Sequence, residues 1–172
     1  DKLLDKLEHG QIDLALLALP YETDKFHTQV LAQDHFSLVH HKDYTPAKGI
    51  EDFNLLPEAS VFLLEREHCM TGHALSACHL NRSSCINPFE AASLHTLLSM
   101  VEYKLGVTFL PQMAINAGIL ENKDMLATPS QGDAYRDIGV LWRKTTGRIR
   151  DFKLFSQQLE IFLKKQCSVD FK

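Results

Sequence analysis

An α/β fold is the class this sequence predicts, and two observations predict it. Short apolar runs of strand length (IDLALLAL, VFLL, VTFLP, IGVLW) alternate with segments whose leucines and phenylalanines recur at helical spacing. The chain is also large and apolar enough, at 172 residues and 45% hydrophobic content, to bury the core of one ordinary domain or of two small lobes.

The elements follow in order. DKLLDKLEHGQ places Leu3, Leu4 and Leu7 on one helical face and ends near Gly10, and IDLALLAL then reads as a buried strand. Turn chemistry at PYETDK breaks the chain before VLAQDHFSLVHH, an extended segment closed by the loop KDYTPAKG. Val61 to Leu64 form the next strand, and a helix is expected over Thr71 to Cys78. Ser93 caps a helix whose apolar positions are Leu94, Leu97, Leu98 and Val101, with Gly106 as its stop. VTFLP is a strand, QMAINAGI a short helix and IGVLW a further strand. Phe152, Phe155, Leu159 and Phe162 mark an amphipathic C-terminal helix. Such alternation predicts mostly parallel strand pairing.

Charge and composition exclude several classes. A net charge of -4 with dispersed lysines and arginines leaves no footprint for a phosphate backbone, so the chain is not expected to bind DNA alone. Apolar runs fall short of the roughly 20 residues that span a bilayer, and the first ten residues lack a signal-peptide core. A cytoplasmic protein is expected. Four cysteines are too few for a disulfide-stapled scaffold, which predicts thiols at rest.

REHCMTGHALSACHL, residues 66 to 80, holds two of them. Cys69 lies where a strand gives way to a helix start, beside His68, and helix amides with a neighbouring imidazolium favour thiolate over thiol. Two other readings stay open for such residues. Cysteine is commonly a small buried hydrophobe, the role assigned to Cys85 and Cys167. His68, Cys69, His73, Cys78 and His79 are metal-ligand types, although their spacing matches no CxxC signature.

GQIDLALLAL, LAQDHFSLVHH, SLHTLLSMVEYKLGVTFLPQMAI and RDIGVLW together resemble the effector-binding, or regulatory, domain of LysR-type transcriptional regulators, over almost the whole chain. The resemblance implies two Rossmann-like lobes joined by two crossover strands, as in periplasmic binding proteins. Lobe I would comprise residues 1–33 and 136–172, and lobe II residues 34–135 with Cys69 and Cys78. The family's DNA-binding domain, its linker and the first strand of lobe I would precede residue 1.

Within the family, His68-Cys69 after a short strand and Cys78 nine residues on resemble the hydrogen peroxide sensors. That resemblance implies that Cys69 reacts with peroxide and that Cys78 resolves it as an intramolecular disulfide, assisted by His68, Thr71 and Arg136. An arginine and an aspartate common in that group two and three positions after the reactive cysteine are Thr71 and Gly72 here. Nine helical residues rise about 13 Å, whereas a disulfide needs Cα atoms within about 7 Å, so bonding would require the helix to unwind.

The implied partners are hydrogen peroxide, a second copy in a dimer or tetramer, DNA through the missing domain alone, RNA polymerase and a cellular dithiol reductant. Dimer contacts are expected between residues 2–9 of one subunit and 94–104 of the other, and the apolar stripe with Leu98 and Val101 faces either the partner or only its own sheet. No cofactor, metal, membrane or enzymatic turnover is expected. The alternatives are a LysR-type domain that binds a small-molecule effector in the interlobe cleft without redox chemistry, and a thiol peroxidase.

Overall fold

The computed structural model describes residues 2–19, 24–44, 56–65, 69–80, 84–130 and 134–168. It divides into two compact units, one of Asp1–Asp34 with Arg136–Ser168 and the other within His35–Tyr135. The fold is mixed α/β. Among the described residues no helix is long and apolar enough to cross a membrane.

The first unit contains helix α1 (Lys2–Glu8), strand β1 (Leu14–Leu19), the start of β2 (Phe26–His41), most of β7 (Tyr135–Arg143) and helix α5 (Ile149–Gln166). β1 pairs antiparallel with β7, from Leu14 opposite Trp142 to Leu19 opposite Asp137. Leu7, Ala15, Leu19, Phe26 and Leu141 form its core. Arg143 donates to the carbonyls of Leu7 (2.6 Å) and Ile12 (2.7 Å), which ties the end of α1 to β7.

α5 buries a different face from the one the aromatic residues mark. Phe152, Ser156 and Leu163 point inward, while Phe155 and Phe162 are more than half exposed. Positions 152, 156 and 163 follow the 3.6-residue repeat as well as the aromatic stripe does. The small Ser156 permits close approach there, and its hydroxyl is satisfied by the Phe152 carbonyl at 2.7 Å.

In the second unit, β2 continues between β5 (Thr108–Pro111) and β6 (Met125–Pro129), antiparallel to both. β3 (Val61–Leu64) pairs parallel with β4 (Ile86–Ala91), and a parallel bridge from Val61 to Val107 leads on toward β5. Helices α2 (Cys69–Ala77) and α3 (Leu94–Glu102) cover opposite faces of these strands, and α4 (Gln112–Asn116) follows β5. The alternation is legible residue by residue. Leu38, Val61, Leu63 and Phe109 pack with Ala74 and Cys78 on the α2 side. Val39 and Leu110 meet Leu98 and Val101, and Phe62 and Leu64 meet Leu97, on the α3 side.

Three expectations are corrected here. β1–β7, β2–β5 and β2–β6 are antiparallel, not parallel, because β2 and β7 are connections between units rather than members of βαβ crossovers. Leu98 (3% exposed) and Val101 (0%) are buried in their own unit, so neither faces a partner; the exposed apolar residues at that end of α3 are Tyr103 and Leu105. Gly106 is not the stop of α3. Tyr103 is the cap, and Lys104 takes the left-handed backbone (φ 63°) while Lys104 N–H and Leu105 N–H close on Val101 and Met100. Gly106 is instead required for packing, since a Cβ there would lie 2.2 Å from the Ser60 carbonyl oxygen.

Patterning foresees neither β4 nor β6. β4 carries Pro88, which is admissible because the described pairing of β4 is with β3 on one side. Asp34, fully buried, receives Arg136 Nε (3.0 Å) and Nη2 (2.9 Å) on one oxygen. Asp34→Ala should lower unfolding free energy by about 3–5 kcal/mol, because it removes the buried carboxylate that accepts both guanidinium hydrogen bonds. A urea titration measures this, and a loss below about 1 kcal/mol would contradict the assigned role.

Candidate functional site

Cys69 opens α2 and Cys78 follows its last residue. The backbone continues helically to Cys78, whose N–H donates to the Ala74 carbonyl at 2.9 Å. The two Cα atoms are therefore separated by about 13 Å of helical rise, well beyond disulfide reach. His68 lies outside the described residues, and of Cys69 only the helical backbone is described.

α2 ends in a closed hydrogen-bond motif. His79 N–H donates to Ser76 O (3.2 Å) and Leu80 N–H to Leu75 O (3.0 Å), with His79 in the left-handed region at φ 53°. Helices α1 and α4 close in the same way, but on Gly10 and Gly118. A side chain at such a position costs about 1–2 kcal/mol relative to right-handed backbone. Gly72 weakens the middle of the helix further, by about 0.5–1 kcal/mol relative to alanine. Space does not require it, because a Cβ at Gly72 would meet nothing within 4 Å. The left-handed His79 escapes sequence reading, since no local pattern marks a histidine for that conformation.

Thr71, Ala74 and Cys78 form the buried face of α2. Burial pushes the Cys78 thiol up from its ordinary value of 9.0 to about 12, so at neutral pH it is protonated and a poor nucleophile in this conformation. Thr71 donates its hydroxyl to the Leu64 carbonyl (2.9 Å) and Thr108 donates to Phe62 O (2.8 Å). Both threonines line a cavity of about 10 Å³ with Met70, Ala74 and Phe109, room for no more than one water-sized molecule. The protons of both hydroxyls are already committed to carbonyls.

Arg136 belongs to the other unit, where it pairs with Asp34. Cys167, also there, is pushed up to about 11, by burial first and then by the Asp34 carboxylate, with Arg136 opposing. Cys85 is fully buried in the core that contains Cys78. The structure thus brings Thr71 and Cys78 together on one helix whose first residue is Cys69, while Arg136 pairs with Asp34 in the other unit. Among the described residues no group of three or more His, Cys, Asp or Glu is placed to hold a metal ion.

The family profile described as the LysR substrate binding domain matches residues 1–162. The chain is 36% identical over 150 residues to the HTH-type transcriptional regulator EstR of Acinetobacter baylyi, covering 85% of this chain and 49% of that protein. It is 32% identical over 157 residues to a probable hydrogen peroxide-inducible genes activator of Mycobacterium avium, covering 86% and 48%. The chain therefore spans about half the length of these curated relatives. Among solved structures it is similar to the reduced form of the regulatory domain of OxyR2 from Vibrio vulnificus, with 43% identity, a TM-score of 0.81, and coverage of 93% of this chain and 76% of that one.

Two outcomes follow from the geometry of α2. Gly72→Ala should strengthen the helix by about 0.5–1 kcal/mol, slowing hydrogen exchange of the Cys78 and Leu80 amides up to about fivefold; unchanged rates would show that Gly72 does not limit helix opening. The raised Cys78 value makes its contribution to stability full below the ordinary thiol value of 9.0 and lost progressively as pH rises toward about 12. Cys78→Ala should flatten that part of the stability-versus-pH curve, as read by urea unfolding at pH 8 to 11.

Proposed function

This chain belongs to the LysR substrate-binding domain family, and from that premise we propose that it is the redox-sensing regulatory domain of a LysR-type transcription factor that responds to hydrogen peroxide. The observation that carries the reading is α2: one weak helix holds Cys69 and Cys78 apart and ends on a strained residue at the second cysteine. Similarity to OxyR2 and to peroxide-inducible activators supports it.

The chemistry proceeds in two steps. The Cys69 thiolate attacks one oxygen of hydrogen peroxide, the O–O bond breaks, and hydroxide leaves to take up a proton as water. Cys69 becomes a sulfenic acid, oxidised by two electrons. The sulfur of Cys78 then attacks the Cys69 sulfur, forming the S–S bond and displacing the hydroxyl, which departs as water with the Cys78 proton. Both thiols are consumed and one peroxide yields two waters.

Resolution cannot occur on the folded helix. Unwinding α2 brings the sulfurs within reach and also releases Cys78 from the burial that holds its thiol protonated. His68 stands next to Cys69 in sequence and stabilises its thiolate. Thr71, freed from Leu64, becomes a donor toward the peroxide oxygen, and Arg136 holds the connecting strands with Asp34. The sensor reacts stoichiometrically and does not turn over. A cellular dithiol restores it by exchange, taking the disulfide into itself.

In the whole protein the rearranged α2 alters packing within a cytoplasmic homo-oligomer, dimer or tetramer. It thereby changes DNA binding by a domain outside this chain and the engagement of RNA polymerase at oxidative-stress genes. A second reading, a small-molecule effector bound without redox chemistry, is supported by the description of the matching family as a substrate binding domain.

Peptide mapping by mass spectrometry after treatment of the reduced chain with about one equivalent of peroxide separates the two. The expected result is a Cys69–Cys78 link that is lost in Cys69→Ser, replaced by a trappable sulfenic acid in Cys78→Ser, and retained in Cys85→Ser. Four unmodified thiols would overturn the redox reading and leave the effector-binding one.

A further inference from the structure

Beyond the cysteines, the second unit contains a cavity of about 280 Å³ lined by His41, Asp43, Tyr44, Lys104 and Val107, with Gly106 and Ser60 completing its wall. This is close to the smallest volume, roughly 300 Å³, of known small-molecule sites. None of its walls belongs to α2.

Its polar groups are few and set by hydrogen bonds. His41 is 7% exposed, and its Nδ1 lies 3.1 Å from the Asp43 backbone nitrogen, from which it accepts, and 3.6 Å from Asp43 Oδ2. An Nδ1 that accepts leaves the proton of a neutral imidazole on Nε2, so the ring's remaining polar atom is a donor. Among the described residues Nε2 has no acceptor.

Lys104 Nζ reaches Asp43 Oδ2 at 2.6 Å, and this hydrogen bond holds the Asp43 carboxyl below its usual range, so it is ionised at neutral pH. Lys104 occupies the left-handed position that ends α3, where the fold alone would favour glycine. A lysine kept there against that preference places its ammonium at the cavity. Tyr44 is fixed by its own N–H on the His41 carbonyl (2.9 Å) and by an edge contact with His40 at 5.6 Å.

The cavity therefore presents a lysine ammonium, an aspartate carboxylate, an imidazole N–H and apolar walls from Tyr44 and Val107. We propose that it binds a small zwitterion of the α-amino acid class with an apolar side chain. The ligand carboxylate is received by Lys104 and the Nε2–H of His41, its ammonium by Asp43, and its side chain by Tyr44 and Val107. A balanced ligand fits better than a simple anion or cation, because it replaces the Lys104–Asp43 pair with two new pairs and leaves no charge uncompensated.

L-Phenylalanine serves as the probe, followed by amide chemical shifts of the purified chain, with 3-phenylpropionate and phenethylamine as analogues that carry one charge each. Saturable shifts at Tyr44, Gly106 and Val107 are expected with phenylalanine, and each analogue should bind at least about tenfold more weakly. Lys104→Gly keeps or improves the backbone of the α3 stop while removing the ammonium, and Asp43→Asn removes the anion; each should weaken phenylalanine about tenfold or more, with the folded spectrum retained. No saturable shift at these amides, equal binding of an analogue, or undiminished binding in both variants would overturn the proposal.

Discussion

A buried carboxylate, Asp34, and the guanidinium that neutralises it, Arg136, stand at the place where both connecting strands leave the first unit. The pair joins β2 and β7, which run side by side in the sheet, at that point. Beyond Asp34, β2 continues with Leu38 on the face that α2 covers and Val39 on the face that α3 covers. A slip by one residue would exchange those faces and with them the burial of Cys78.

Against that rigid frame, α2 is assembled from weak parts. Its buried face is made of Thr71, Ala74 and Cys78, small side chains that contribute little apolar area. Glycine sits in its middle and a non-glycine residue in its left-handed stop. By contrast, α3 buries Leu97, Leu98 and Val101 and is capped by Ser93, whose hydroxyl accepts from Thr96 N–H at 3.1 Å. Two helices packed on the same strands thus differ in how much free energy holds them. The proposed redox switch, in which α2 unwinds while its neighbours stay folded, would draw on that difference.

The same structural device serves two ends. At His79 a left-handed side-chain-bearing residue lowers the stability of a helix stop beside a cysteine. At Lys104 it places an ammonium beside Asp43 at the rim of a cavity. In both cases glycine would satisfy the backbone better, and in both the residue present adds a chemical group at a defined place.

Much was legible in one dimension. Val61 to Leu64 as a strand, Ser93 as a cap and Gly10 as a stop all follow from composition and spacing along single elements. What remained hidden depended on neighbours. The antiparallel direction of β2 relative to β5 and β6, the inward turn of Ser156 rather than Phe155, and the burial of Leu98 and Val101 within their own unit are each decided by the surface an element meets. Periodicity by itself marked most of the helices and strands, β4 and β6 excepted, because local spacing governs a side chain's direction within its own element. Strand direction, helix phase and the protonation of Cys78 were decided by tertiary structure, because each depends on packing against residues distant in sequence.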